Sequence, residues 1–224
     1  MNRREIFEAL RPHMPDQRFG VAAVQAIDGI LDALGVPRLD DDPLTPRVVL
    51  ETAHHEAIVL EAYKDSEGVW TWAMGLTKAS GVDPLAYKDK PSTMAVALRC
   101  SVDRMRKVYV PDVLAAFAGR ELSEAQFAAA LAFHWNTGAI KKTEWVKLWL
   151  AGRTSAARQF LETHYLNGGD LKARRMAEAA LFFDGVWKQD GTVLVIPVNK
   201  PSYTPAFSKA RRVNINTALL EALK

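Results

Sequence analysis

The 224-residue sequence predicts a helix-dominant α+β fold, with a small β-hairpin lobe ahead of a larger helical bulk. Three observations predict it. Apolar residues recur at helical spacing through most of the chain. A short stretch rich in Val, Ile, Tyr and Trp surrounds the turn string Asp65-Ser66-Glu67-Gly68. Helical spacing resumes beyond Gly81-Val82-Asp83-Pro84. A composition that is 49% hydrophobic and 9% aromatic gives such a fold ample core.

Taken in order, Ile6, Phe7 and Leu10 line one short helical face, and Val21, Val24, Ile27, Ile30, Leu31 and Leu34 line another. Residues 35–46, with three prolines and Asp40-Asp41-Asp42, break the pattern as a linker. The next helix starts at Pro46 behind a Thr45 cap and runs through Val48, Val49 and Ala53 to Glu56. Strands over 58–64 and 69–73 then flank the turn. Helices follow over 94–108, ended near Pro111, and over 123–135, where Ser123 and Gln126 form a capping box. Three more are expected over 145–150, 156–165 and 171–183. In the tail, 186–188 and 192–198 flank Gln189-Asp190-Gly191 as a second hairpin. Pro197, Pro201 and Pro205 then mark a loop, and Asn214 or Asn216 caps a last helix through Leu223. The expected organisation is a helical preface over 1–45, a main domain over 46–185 and a hairpin-and-tail segment over 186–224.

Charge and cysteine content narrow the function. The chain carries +3 overall, with 14 Lys/Arg and 17 Asp/Glu in residues 1–119 but 15 and 9 in residues 120–224. A basic second half suggests an anionic partner: nucleic acid, a membrane surface or a bacterial wall. A single cysteine, Cys100, excludes an internal disulfide framework and multi-cysteine metal sites. It sits among Val96, Leu98 and Val102, as an inert buried thiol would. The sequence shows no signal peptide and no apolar run approaching about 18–20 residues, so a soluble, cytosol-made protein without stable membrane insertion is expected. No glycine-rich phosphate loop or aromatic-interleaved basic stripe appears, so nucleic acid is not expected as a partner. His54-His55-Glu56 lacks a second His at zinc spacing, and no metal or cofactor is expected.

The chemistry concentrates between residues 56 and 71. Glu56 ends a helix, Asp65 sits in a turn nine residues on, and Thr71 lies on the return strand. A hairpin folded back over a helix end brings all three around one cleft. Two carboxylates in different surroundings are the minimum for glycoside hydrolysis: one protonates the leaving oxygen, and the other holds or becomes the nucleophile.

With the frame Ala62-Tyr63-x-Asp65-x-x-Gly68-x-Trp70-Thr71-x-x-x-Gly75-x-Thr77, this spacing resembles the phage-type lysozymes (endolysins) of glycoside hydrolase family 24. Leu122 through Asn136-Thr137-Gly138 is similar to the family's helix ending in Asn-x-Gly. Leu171-Lys172-Ala173-Arg174-Arg175-Met176-Ala177-Glu178 is similar to its later Arg-Arg-x-x-Glu segment. The resemblance covers about residues 46–185. It implies a lysozyme-like fold with a cleft between the lobes. It implies a muramidase that cleaves the β-1,4 bond between N-acetylmuramic acid and N-acetylglucosamine by inversion, with Glu56 as general acid and Asp65 and Thr71 holding the water. Candidate substrate contacts are Trp70, Trp72, Asn136, Arg174 and Arg175. For the arginines a solvated helix end with one ion pair stays equally open. His134 is read as a core or cleft-wall residue.

Two departures stand out. Ala57 replaces a frequent Gly after the acid, and Ala73-Met74-Gly75-Leu76-Thr77 lacks the family's His. Two rivals remain. One is a lytic transglycosylase giving 1,6-anhydro products, which leaves Asp65 and Thr71 unexplained. The other is a non-catalytic glycan-binding virion module, against which the intact triad argues. The implied setting is a monomer acting on peptidoglycan during bacteriophage lysis, made in the host cytoplasm and released through a holin, or carried by the virion. The preface is then a packing or wall-binding element. The tail 199–224, with five basic and one acidic residue, is a candidate wall-attracting appendage.

Overall fold

The computed structural model describes residues 42–224 continuously and, before them, only residues 6, 9–14, 23, 26, 27, 29–31 and 34. The chain divides into two compact units, Met1–Pro43 and Leu44–Lys224. In the first, residues 6, 9, 10, 23, 26, 27 and 29–31 are helical and Leu31 is buried. Of the helical positions expected in the preface, Phe7, Val21 and Val24 lie outside the described residues.

In the second unit, α1 (Pro46–Glu56) begins where the sequence predicts. The Thr45 hydroxyl accepts from the Val48 N–H, and Pro46 occupies the first turn, where its missing N–H costs nothing. The helix buries Val48, Val49 and Ala53, together with Glu51 and Thr52. It stops because Ala57 adopts φ 57°, ψ 171°, a backbone conformation that suits glycine.

The chain then forms a three-stranded antiparallel sheet, β1 (Val59–Lys64), β2 (Trp70–Ala73) and β3 (Leu76–Thr77), paired in that order. The β1–β2 turn is held by Asp65, and Gly68 takes φ 75° within it. Leu76, at the position of the family's His, is a core side chain.

The helical bulk follows. In α2 (Met94–Arg104) the predicted stop near Pro111 does not occur. A π turn, Met105–Tyr109, leads directly into α3 (Val110–Ala116). Widening the helix to i→i+5 bonding makes room for a proline ring and its missing N–H, so the element passes Pro111 instead of ending. Then come α4 (Glu124–Thr137), α5 (Glu144–Leu150), α6 (Thr154–Thr163) and α7 (Lys172–Asp184). Both halves of the Ser123–Gln126 capping box are present on α4. The core runs through Leu98, Val102, Leu131, Phe133, Trp145, Phe117 and Phe182, with aromatic rings packed edge-on.

The tail departs from expectation. β4 (Thr192–Val195) pairs antiparallel with β5 (Arg211–Asn214), not with 186–188, and α8 (Asn216–Ala222) closes the chain. Nearby turn residues suggested a local hairpin, but the alternating burial of Val193 and Val195 is satisfied by a distant partner strand. The α8 N-terminus has no side-chain cap, although Asn214 Oδ1 accepts from the Asn216 N–H. Nor is the segment an appendage. Val193, Val195, Ile215, Leu219 and Ala222 belong to the common core, and Ile58 exchanges backbone bonds with Leu194 (2.7 Å) and Ile196 (3.0 Å).

Candidate active site

The hairpin turn builds one side of the site. Asp65 Oδ1 accepts from the backbone N–H groups of Glu67 (3.0 Å) and Val69 (2.9 Å), so one carboxylate oxygen is consumed in closing the turn. The other, Oδ2, lies 3.4 Å from the Thr71 hydroxyl, which is also 3.1 Å from the Val69 carbonyl. Thr71 is almost fully buried on β2, so its hydroxyl is fixed by packing. A carboxylate oxygen and a hydroxyl side by side, both held by backbone, can orient one water molecule.

Glu56 builds the other side from the end of α1. Its Oε1 is 2.6 Å from Nη1 of Arg174 on α7. Arg174 also donates to Glu178 (Nε–H, 2.9 Å) and to the Ala132 carbonyl (2.9 Å). Burial opposes its charge, yet Glu56 and Glu178 together hold the guanidinium above its ordinary pKa. Arg175 is wholly buried over the Phe133 ring and donates to Glu178 (2.5 Å) and to Asn136. Burial pushes the Glu178 carboxyl above the usual range, against the pull of Arg175 and Arg174. The Glu56 carboxyl is thus the most exposed charge of a network with Arg174, Glu178 and Arg175, to which Asn136 adds an amide acceptor.

Glu56 and Asp65 line one cleft of about 610 Å³. Tyr63 lines it too. Burial, then the charges of Asp65 and Glu56, push its phenol up to about 12, so it keeps its proton between the two acids. Sequence reasoning missed Tyr63 as a site residue, although it stood in the Ala62-Tyr63-x-Asp65 string. Across from the sheet, the π turn presents Tyr109, whose phenol is raised by burial, against Arg104, with Glu56 and Asp112 adding to the rise. Tyr109 packs against His134 and Trp135, and the Trp135 indole N–H donates to the Met74 carbonyl (3.1 Å), tying the bulk to the sheet.

Other expected site residues divide. Trp70 is half-exposed, edge-on to Tyr203. Trp72 is fully buried, stacked 3.8 Å from Tyr87 with its N–H on the Leu60 carbonyl, and so cannot contact a sugar. Arg174 and Arg175 do not form a solvated helix end, because buried Glu178, one turn on, draws both inward. Arg175, with no exposed surface, has none to offer a substrate. Asn136 is half-buried and accepts from Arg175. In the His54-His55 pair, His55 Nε2 lies 3.4 Å from buried Glu51 and His54 Nδ1 lies 3.3 Å from Arg212. His134 is buried, 3.3 Å from Asp112. Burial raises the Cys100 thiol pKa.

Among known proteins, the family model described as phage lysozyme matches residues 53–178. No curated protein matches the chain. Among solved structures, a P22 lysozyme mutant is similar at 21% identity with a TM-score of 0.51, covering 62% of this chain and 96% of that one. An endolysin from Escherichia coli O157:H7 phage FAHEc1 gives 22% identity and a TM-score of 0.43, covering 65% and 96%. The muramidase domain of SpmX from Asticaccaulis excentricus gives 19% and 0.49, covering 62% and 97%.

Proposed function

The chain belongs to the phage lysozyme family and is by class a peptidoglycan hydrolase; from that premise we propose that it cleaves the β-1,4 bond between N-acetylmuramic acid and N-acetylglucosamine by inversion. One observation carries the reading: Asp65 Oδ2 lies 3.4 Å from the Thr71 hydroxyl, at a cleft that Asp65 lines together with Glu56, which supports reading the two as a water-holding pair. Glu56 gives its proton to the glycosidic oxygen as the bond to the anomeric carbon breaks. The water held by Asp65 and Thr71 attacks that carbon from the opposite face and passes its proton to Asp65. Arg174 fixes the direction of the Glu56 carboxyl and is a positioning residue. Trp70 and Asn136 are proposed as glycan contacts.

We place the protein in the lysis of a bacterial host by a phage, as a monomer made in the host cytoplasm and released to the wall through a holin, or carried on the virion. Among the described residues, no helix is long and apolar enough to cross a membrane.

Clearing of outer-membrane-permeabilised cells tests the assignment. Glu56→Gln is expected to lose about 10²–10⁴ of the rate, the usual worth of a general acid. Equal clearing by the variant and the wild type overturns it. Product masses decide the chemistry: reducing muramic ends mean hydrolysis, and anhydro ends mean transglycosylation, which the water-holding pair opposes.

A further inference from the structure

The cleft that holds Glu56 and Asp65 has a wall that does not come from the family's own region. Leu194, Ile196, Thr204, Pro205 and Phe207 line it, and all five lie beyond residue 178, where the family match ends. The loop that carries three of them is clamped at both ends. Toward the sheet, the Lys64 N–H donates to the Tyr203 carbonyl (2.7 Å), Tyr203 packs edge-on to Trp70, and its hydroxyl donates to Asp89 (2.9 Å). Lys200 bridges Glu61 and Asp89. Toward β4, the buried Ala206 donates its N–H to the Pro197 carbonyl (2.8 Å).

Immediately after this anchored backbone, Phe207 stands 70% exposed at the start of a short 3-10 turn. Phe207 thus leaves most of an aromatic ring open to water on an anchored loop, in the wall of a cleft with two carboxylates. Ligand sites have this composition: apolar and aromatic walls around a few placed polar groups, with ordering costs already met.

We infer that Phe207, with Pro205, forms a sugar-binding platform beside the point of cleavage, against which a ring of the wall polysaccharide lays its apolar C–H face. The polarised C–H groups meet the electron-rich face of the phenyl ring. The inference rests on the glycan reading above and assigns part of substrate recognition to the extension past the family domain.

Kinetics on uncrosslinked glycan chains released from sacculi test it. Phe207→Ala is expected to raise KM about three- to tenfold, the range an aromatic contact supplies, with kcat unchanged. Phe207→Trp is expected to restore KM, and the melting temperature of both variants should match the wild type, since the side chain is exposed. In a Glu56→Gln background, Phe207→Ala should weaken calorimetric binding of the same chains by the same factor. Unchanged KM and unchanged binding overturn the platform, as does a loss confined to kcat. If Glu56→Gln abolishes turnover while Phe207→Ala matches wild type, the platform falls and the muramidase reading stands. If Glu56→Gln hydrolyses normally, that reading falls and the binding measurement alone decides the platform.

Discussion

At the hairpin turn, Asp65 is held by Glu67, Val69 and Thr71, all within six residues of it. At the end of α1, Glu56 is held by Arg174 from α7, which is itself held by Glu178 and the Ala132 carbonyl. The first arrangement uses neutral donors, two backbone N–H groups and one hydroxyl, supplied by the turn and its return strand. The second buries two guanidinium groups around one carboxylate. A locally closed turn is insensitive to the rest of the fold, whereas a buried ionic network stands or falls with the packing of three helices. The two acids are therefore expected to respond differently to mutation.

The largest expected effect is at the centre of the long-range network. Glu178→Gln keeps shape and size but leaves the Arg174 and Arg175 charges without their shared partner in a buried site. The expected loss is about 3–5 kcal/mol of stability, the cost of breaking a buried pair from one side. Urea unfolding midpoints measure it. A loss below about 1 kcal/mol would mean that the network contributes orientation without stability, and the contrast with the turn would disappear.

Asp65→Asn probes the opposite corner. The amide oxygen can still accept from the Glu67 and Val69 N–H groups, so the turn should persist with a stability change of about 1 kcal/mol or less. Wall clearing should nonetheless fall about 10²–10⁴-fold, because an amide cannot take the proton of the attacking water. Unfolding of this variant would show that the turn depends on the charge and not on its own hydrogen bonds.

The same contrast decides what could be read from the amino-acid order. Spacing and residue type reach features built from neighbours: the Thr45 cap, the Ser123–Gln126 box, the turn at Asp65 and the Asp65–Thr71 pair. Features that depend on distant partners escaped it. Arg174 and Arg175 looked equally suited to solvent or substrate until Glu178 and the surrounding helices made them interior. Trp72 sits two residues from Trp70 and shares its strand, but Tyr87, from the short turn Pro84–Tyr87, covers one indole and not the other. The β4–β5 pairing skips a stretch whose own turn residues signalled a local hairpin. The passage of α2 through a π turn overrode the stop that Pro111 alone predicts.

The smallest expected effect lies where the two kinds of support meet. Ala57 separates Glu56 from β1 with φ 57° and ψ 171°, outside the regions an L side chain prefers. Its neighbour Ile58 is bonded through both backbone groups, its N–H to Leu194 and its carbonyl to Ile196, which resists a shift of the strand that would relieve it. Backbone strain of this kind costs about 1–3 kcal/mol. Ala57→Gly removes it but adds roughly 0.4–1 kcal/mol of unfolded-state freedom. The net expectation is a gain of about 1 kcal/mol, read as a rise of about 2–4 °C in melting temperature for a chain of this size. Activity should hold or fall slightly, since the glycine loosens the backbone just after the acid while Arg174 still fixes its carboxyl. A lower melting temperature would show that the conformation is unstrained for alanine. A large loss of clearing at unchanged KM would show that the stiff Ala57 junction, and not the Arg174 ion pair, aims Glu56, moving control of the acid from the distant network to its immediate neighbour in sequence.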